Sequence, residues 1–209
     1  MIKVFDLDGT LLDSNGVWRT IDEEFVGRRG CVLTQEYNDY VAHAIFPDAA
    51  RFTKQYYHLD ESEEEIMASW LDQAWQAYSA ELPLKPGAKA YLEQCRRQGE
   101  RLALFTSSEP RLCRAALTHH GILDAFDGLY FAQMLQMEKK YTESFVRLSA
   151  LLGEPVEECI LYDDSPVACR SAKAAGWQVV GIRDPFFSHL EAELRANCHR
   201  CIDGFPDLL

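Results

Sequence analysis

Four small groups of residues in this 209-residue chain could do chemistry, and each follows an apolar run or lies between two such runs. The first is Asp6 and Asp8, which follow the short run Ile2 to Phe5 and precede Gly9. Side chains repeat with a period of two along an extended chain, so both carboxylates point to one side. Gly9 lets the backbone turn tightly beside a ligand. Two carboxylates this close do not both ionise unless a cation or strong donors compensate them. The second group is Thr106-Ser107, after Arg101 to Phe105; the third is Lys139, in Glu138-Lys139-Lys140; the fourth is Asp163-Asp164, after Cys159 to Tyr162.

Each group alone has an ordinary explanation. Asp-x-Asp-Gly occurs in calcium loops, although the later glutamate and the spacing of an EF-hand are missing here. A Thr-Ser pair at a strand end is commonly a turn or a cap, Lys139 by itself reads as a solvated lysine, and Asp163-Asp164 before Ser-Pro reads as a helix cap. Their conjunction is what carries weight. Four carboxylates converging with hydroxyls and one ammonium make a site for a hard divalent cation and an anionic substrate.

The elements that position these groups follow from periodicity and punctuation. From Pro86 onward helices and strands alternate, with strands expected at Arg101 to Phe105, Gly128 to Phe131, Cys159 to Tyr162 and Trp177 to Ile182. Alternation at this spacing implies right-handed βαβ units and a parallel sheet covered on both faces. The carboxyl ends of such strands are where ligands bind. The fold class is therefore α/β, a Rossmann-like parallel sheet with the first strand included. Between Ser14 and about Ala80 the pattern is helical instead. Val17, Ile21 and Phe25 recur every four residues, Thr34 can cap a helix carrying Tyr37, Tyr40, Val41 and Ala44, and Ser62-x-x-Glu65 forms a capping box. Ile66, Trp70, Ala74, Ala77 and Tyr78 then mark one helical face. A small all-helical insert at 15–81 thus interrupts an α/β core made of 1–14 and 82–209. Its connectors, Ser14 to Gly16 and Glu81 to Leu84, are expected to be flexible hinges.

Composition narrows the function. With 47% hydrophobic and 26% charged residues the chain has the make-up of a globular protein with a real core. Its net charge of −12 opposes phosphate backbones and anionic lipid, so neither nucleic acid nor membrane is an expected partner. No apolar run is long enough to span a bilayer, and Asp6 interrupts the amino-terminal run too early for a signal peptide. The seven cysteines are odd in number and scattered, which implies a reducing, cytoplasmic compartment.

Asp6-Leu7-Asp8-Gly9-Thr10-Leu11-Leu12-Asp13-Ser14, with Thr106, Lys139 and Asp163-Asp164 in this order, resembles the haloacid dehalogenase-like superfamily. Within it the chain is similar to the members with a helical cap after the first motif, of the phosphoglycolate phosphatase and beta-phosphoglucomutase type. The resemblance implies a phosphatase acting on a small phosphate ester through an aspartyl-phosphate. Asp6 would be the nucleophile and Asp8 the general acid and base. Mg²⁺ would be held by Asp6, Asp8 (through its backbone carbonyl), Asp163 and Asp164, and phosphate by Thr106, Ser107 and Lys139. A phosphomutase using the same intermediate is the nearest alternative, and a catalytically idle binding module is a more distant one. The family's lysine is usually followed by proline. Here Lys139 is followed by Lys140 and Tyr141, which leaves Lys140 a competitor, and Asp163 stands where glycine is commoner.

Other conspicuous residues have plainer readings. Cys198-x-x-Cys201 lacks the second pair of a zinc site and reads as structural. His119 and His120 sit at a helix end, where the dipole favours imidazolium. Trp70, Trp75 and Tyr78 read as cap core. Phe46 to Phe52 interrupts the helical run and is expected to face the site, with Arg51 or Lys54 reading substrate.

Overall fold

The apolar runs become the strands of one parallel sheet in the computed structural model, which describes residues 1–41 and 44–209. The strands are β1 (Ile2–Phe5), β2 (Arg101–Thr106), β3 (Gly128–Phe131), β4 (Cys159–Asp163), β5 (Gln178–Ile182) and β6 (Arg200–Ile202), in the spatial order β3-β2-β1-β4-β5-β6. All pairings are parallel. β1 is central and buried along its length, Lys3 included, whose ammonium pairs with Glu100, and burial of side chains such as Val4 and Phe5 contributes about 1.5–3 kcal/mol each. The chain order reverses at β1, so the crevice beside its carboxyl end is the ligand position of this architecture. Register delivers the chemistry there: Phe5 pairs with both Leu104 and Tyr162, which sets Asp6 beside the ends of β2 and β4.

Helices cover both faces. Those of the first half are α1 (Asn15–Gly27), α2 (Gln35–Val41), α3 (Phe46–Tyr56), α4 (Glu63–Gln76), α5 (Ala88–Arg97) and α6 (Pro110–His119). They are followed by α7 (Ala132–Leu135), α8 (Thr142–Leu152), α9 (Pro166–Ala174) and α10 (Glu191–Asn197). Side chains alternate across the sheet: Phe5, Leu102, Leu104 and Tyr162 join one apolar cluster with Tyr91, Leu92 and Leu117. Val4, Ala103, Phe105 and Leu161 join another with Phe145, Leu148, Ala172 and Trp177. Phe5 stacks on Tyr162 with ring centroids 4.5 Å apart, so the strand bearing Asp6 is clamped directly below it.

The stretch from α1 to α4 contains no strand among the described residues. α4 starts with the expected capping box: Ser62 Oγ accepts from the Glu65 amide, and Glu65 accepts from the Ser62 amide. Its last turn widens into a π-helical turn, Ala77–Glu81, which holds Tyr78. Phe46 to Phe52 is not a break: it lies within α3, where Pro47 occupies the first turn and its missing N–H costs no intrahelical bond. The helix expected from Thr34 to Ala44 runs as α2 to Val41, beyond which its course lies outside the described residues.

The connectors are better fastened than expected of a loose break. Ser14 is fully buried, and α1 starts immediately after it. The outgoing and returning chains lie side by side: Leu12 and Leu84 form an antiparallel bridge. The Asp13 amide donates to the Pro83 carbonyl at 3.0 Å, and the Lys85 amide to the Leu11 carbonyl at 2.8 Å. Lys85 forms a buried ion pair with Asp184, beyond β5. His120 shares a 2.8 Å hydrogen bond with the Leu82 carbonyl. Burial lowers its pKa, which overrides the helix-dipole expectation of an imidazolium.

Candidate active site

Asp6 begins where β1 ends and is almost fully buried. Its amide donates to the Tyr162 carbonyl at 2.9 Å, which continues the β1–β4 ladder by one residue and fixes the Asp6 backbone. The Lys139 ammonium, itself buried, stands 2.7 Å from Asp6 Oδ1 and 2.8 Å from Asp163 Oδ2. The contact with Asp163 is a well-aligned hydrogen bond, whereas that with Asp6 is an ion pair with poor alignment, which leaves Asp6 Oδ1 without a directed donor. Burial pushes the Asp6 carboxyl up to about 6 against the opposing pull of Lys139. The two carboxylates in turn hold the Lys139 pKa well above the usual lysine range. Lys140 is more exposed and paired with Glu138 at 2.6 Å, so Lys139 is the lysine inside the cluster.

Asp164 is also buried; Thr10 Oγ1 donates to it at 3.3 Å and Asn15 Nδ2 at 2.9 Å. Asp163 accepts from the Ser165 amide at 2.9 Å through Oδ1, so it does cap the turn into α9, while its other oxygen holds Lys139. Carboxylate oxygens of Asp6, Asp163 and Asp164 all lie within 4.8 Å of one another. Three buried carboxylates therefore face one ammonium. Burial, and then the neighbouring Asp163 and Asp6, push the Asp164 carboxyl far up, which is the signature of a site short of positive charge. Gly9 (φ +70°) packs against this cluster, and a Cβ there would collide with Asp164 and Asn15. The glycine after the aspartate pair is thus required both by the turn and by close approach.

Asp8 is held differently. Ser14 Oγ donates to Asp8 Oδ1 at 2.6 Å, and the Tyr78 hydroxyl donates to the same oxygen. Trp18 Nε1 donates to the Tyr78 hydroxyl. Burial raises the Asp8 pKa; the Ser14 and Tyr78 donors oppose that rise, and the Asp6 charge adds to it. Thr106, at the end of β2, is buried and its Oγ1 accepts from the Ser108 amide at 3.0 Å. The Ser108 hydroxyl is buried on the Asp8 side of the cavity with no well-aligned hydrogen-bond partner among the described residues. Thr106, Ser107 and Ser108 line the same cavity as Asp6, Asp8, Lys139, Asp163 and Asp164.

That cavity has a volume of about 210 Å³, small against the roughly 300–1,000 Å³ of drug-sized pockets. Its far side comes from the helical segment: Trp18, Asp22, Tyr37, Asn38, Phe46, Ala49 and Trp70. Arg51 and Lys54 do not line it. Arg51 pairs with Asp48 at 2.7 Å, and Lys54 donates to the Glu61 carbonyl at 2.5 Å. The reading of these two as substrate contacts is not supported by their placement.

A model of haloacid dehalogenase-like hydrolases matches residues 3–176, most of the chain. The chain belongs to the haloacid dehalogenase-like hydrolase family. Among the family's curated members, hexitol phosphatase B of Escherichia coli is 23% identical over 187 residues, spanning 88% of this chain and 84% of its own length. Fructose-1-phosphate phosphatase YqaB of Escherichia coli is 25% identical over 189 residues, spanning 86% and 95%. Both names agree with the expected enzyme class, a phosphatase. Among solved structures, CbbY from Rhodobacter sphaeroides in complex with phosphate superposes with a TM-score of 0.83 at 22% identity, covering 99% of this chain and 95% of that one. The beta-phosphoglucomutase of Clostridium difficile gives 0.82 at 18% identity, covering 100% and 94%. At such identities these two establish the α/β fold.

All seven residues expected at a haloacid dehalogenase-like site line one cavity. Sequence reading missed Asn15, Tyr78 and Ser108. Ser108 adjoins the Thr106-Ser107 pair and was within reach of the motif. By spacing, Asn15 belongs to a flexible break and Tyr78 to an apolar helical face; nothing in either pattern announces a bond to Asp164 or Asp8.

Proposed function

We propose that this chain is a divalent-cation-dependent phosphomonoesterase that acts on a small sugar or polyol phosphate through an aspartyl-phosphate on Asp6. The observation that carries the reading is the buried cluster of Asp6, Asp163 and Asp164 around a single lysine. Their hard oxygen donors and uncompensated charge fit Mg²⁺, which would neutralise the carboxylates and the incoming phosphate when bound. Asp6 and Asp164 would hold it, together with the Asp8 backbone carbonyl, and Asp163 would contribute while anchoring Lys139.

In this reading an Asp6 oxygen attacks phosphorus, the bond from phosphorus to the ester oxygen breaks, and Asp8 gives its proton to the departing oxygen. Water then attacks the aspartyl-phosphate and gives a proton to Asp8, releasing inorganic phosphate and restoring Asp6. A buried Asp8 with a raised pKa is suited to hold the first of those protons. Lys139, Thr106 and the Ser107 amide would stabilise the non-bridging oxygens. The helices of 15–81 would form the cap over a core of 1–14 and 82–209, closing to exclude water. Seven free cysteines, four of them among the fully buried apolar groups, support a cytoplasmic setting.

Hydrolysis is favoured over mutase chemistry by the cavity's charge. A mutase must also anchor a second phosphate. Besides Lys139, the described cations lining the cavity are Arg19, paired with Glu23 at 2.7 Å, and Lys140, paired with Glu138. The deciding experiment replaces Asp6 by Asn. Turnover of para-nitrophenyl phosphate with Mg²⁺ should vanish, and retained turnover would refute the covalent route. Incubation with a sugar 1-phosphate and its bisphosphate should yield free phosphate; isomerised sugar would favour the mutase.

A further inference from the structure

The cavity wall opposite the phosphate site carries two polar groups that the reaction above does not use. Asp22, on α1, lies one helical turn beyond Trp18. Its only described hydrogen bond comes from the Tyr37 hydroxyl at 3.5 Å, the limit of such a contact, while that hydroxyl is better engaged with Thr53 Oγ1 at 2.9 Å. No described cation pairs with Asp22. Trp70, on α4, is only 3% exposed, and its Nε1 is buried without a partner among the described residues. Its ring is packed edge-on between Phe25 and Phe46, with centroids at 5.6 and 5.5 Å, so it cannot swing away to satisfy itself.

A buried N–H with no described acceptor and a partly buried carboxylate with no good described donor both stand at a cost that a ligand can remove. A carboxylate only accepts hydrogen bonds, whereas a hydroxyl both donates and accepts. Vicinal hydroxyl groups therefore answer both needs at once: one donates to Asp22, and an oxygen accepts from Trp70 Nε1. The rings of Trp18, Phe46 and Tyr37 on the same wall suit the apolar C–H edges of such a molecule. A second phosphate or a carboxylate placed there would find no described cation beside Asp22 to pair with.

Resting on the phosphomonoesterase reading, we propose that Asp22 and Trp70 Nε1 are the specificity-determining pair, selecting a neutral polyhydroxylated body that carries a single phosphate. Asn38 lines the same wall and is available to a further hydroxyl.

The test compares kcat/KM for fructose 1-phosphate with that for para-nitrophenyl phosphate, which lacks hydroxyls, in the wild type, Asp22→Leu, Asp22→Asn and Trp70→Phe. The ratio should fall about tenfold or more in Asp22→Leu and about threefold or more in Trp70→Phe, since a site built to bond a hydroxyl discriminates strongly once that bond is lost. Wild-type enzyme should also prefer fructose 1-phosphate to 2-phosphoglycolate. Asp22→Asn is isosteric and Trp70→Phe keeps the ring, so a fold lost in Asp22→Leu leaves the other two to decide. Ratios unchanged in both overturn the assignment, as does a wild-type preference for 2-phosphoglycolate. Should wild type turn over neither ester with Mg²⁺, the phosphomonoesterase reading itself falls; turnover of the aryl ester with unchanged ratios removes only the pair.

Discussion

Replacing Tyr78 by Phe removes one oxygen from the interior and leaves the ring packing in place. That oxygen sits in a chain running from Trp18 Nε1 through the Tyr78 hydroxyl to Asp8 Oδ1. Two hydrogen bonds go with it. The one to Asp8 reaches a carboxylate, and such bonds contribute about 1.5–3 kcal/mol. The other loss strands the Trp18 N–H, a cost of about 1 kcal/mol when the group is only partly buried. Ser14 Oγ remains on Asp8 and holds part of the effect back. A net destabilisation of about 2 kcal/mol follows, which for a chain of this length lowers Tm by about 4–8 °C. The chain of bonds also predicts non-additivity. Once Tyr78 is Phe, Trp18→Phe has no bond left to break, so the double variant should be more stable than the sum of the singles by about 1 kcal/mol. Calorimetric or denaturant unfolding of the four proteins measures both quantities. An unchanged Tm, or effects that add within about 0.5 kcal/mol, would show that the Trp18–Tyr78–Asp8 chain carries no energy.

Other outcomes follow from the site's charge. Burial raises the Asp22 pKa from 3.8 to about 7, so between those values the folded chain binds more protons than the unfolded one. Stability contributed by this residue then falls as pH rises through that window, and Asp22→Asn should gain more Tm over wild type at pH 8 than at pH 4. Asp164→Asn should raise the Tm of metal-free protein by relieving carboxylate repulsion, and should abolish the Tm increase expected when Mg²⁺ is added to the wild type. Lys139→Ala should cost about 3–5 kcal/mol by leaving Asp6 and Asp163 face to face, whereas Lys140→Ala, which breaks one partly buried pair with Glu138 outside the cluster, should cost about 1 kcal/mol in the same melts.

The sheet and the polar ends of its strands were legible because both are written locally. An apolar run, a strand-end carboxylate and a glycine stand within nine residues at the amino terminus, and Phe5, Asp6 and Gly9 do in space what their order implies. The wall formed by 15–81 was not legible, because its groups come from separate helices and meet only through tertiary packing. Tyr78 fills an apolar position of its helix by period, yet a π-helical turn places its hydroxyl on Asp8. Trp70 is core, as its helical spacing implies, but its buried Nε1 is a property of the packed state alone. Arg51 and Lys54 misled in the opposite direction: positive charge at an apparent break in the helical pattern suggested a substrate contact, while neighbouring acids and carbonyls already occupied both.

The antiparallel pairing of the two connectors has a consequence for the history of such a chain. The backbone leaves the sheet at Leu12 and returns at Leu84 in adjacent tracks, tied by the Asp13–Pro83 and Lys85–Leu11 amide bonds. From below, everything between is a loop whose mouth is already stitched shut. The entropic cost of lengthening a closed loop grows only with the logarithm of its length. Helices can therefore be lengthened or added above the stitch at little entropic cost to the strands beneath, provided that the Tyr78 and Asn15 bonds to Asp8 and Asp164 are kept.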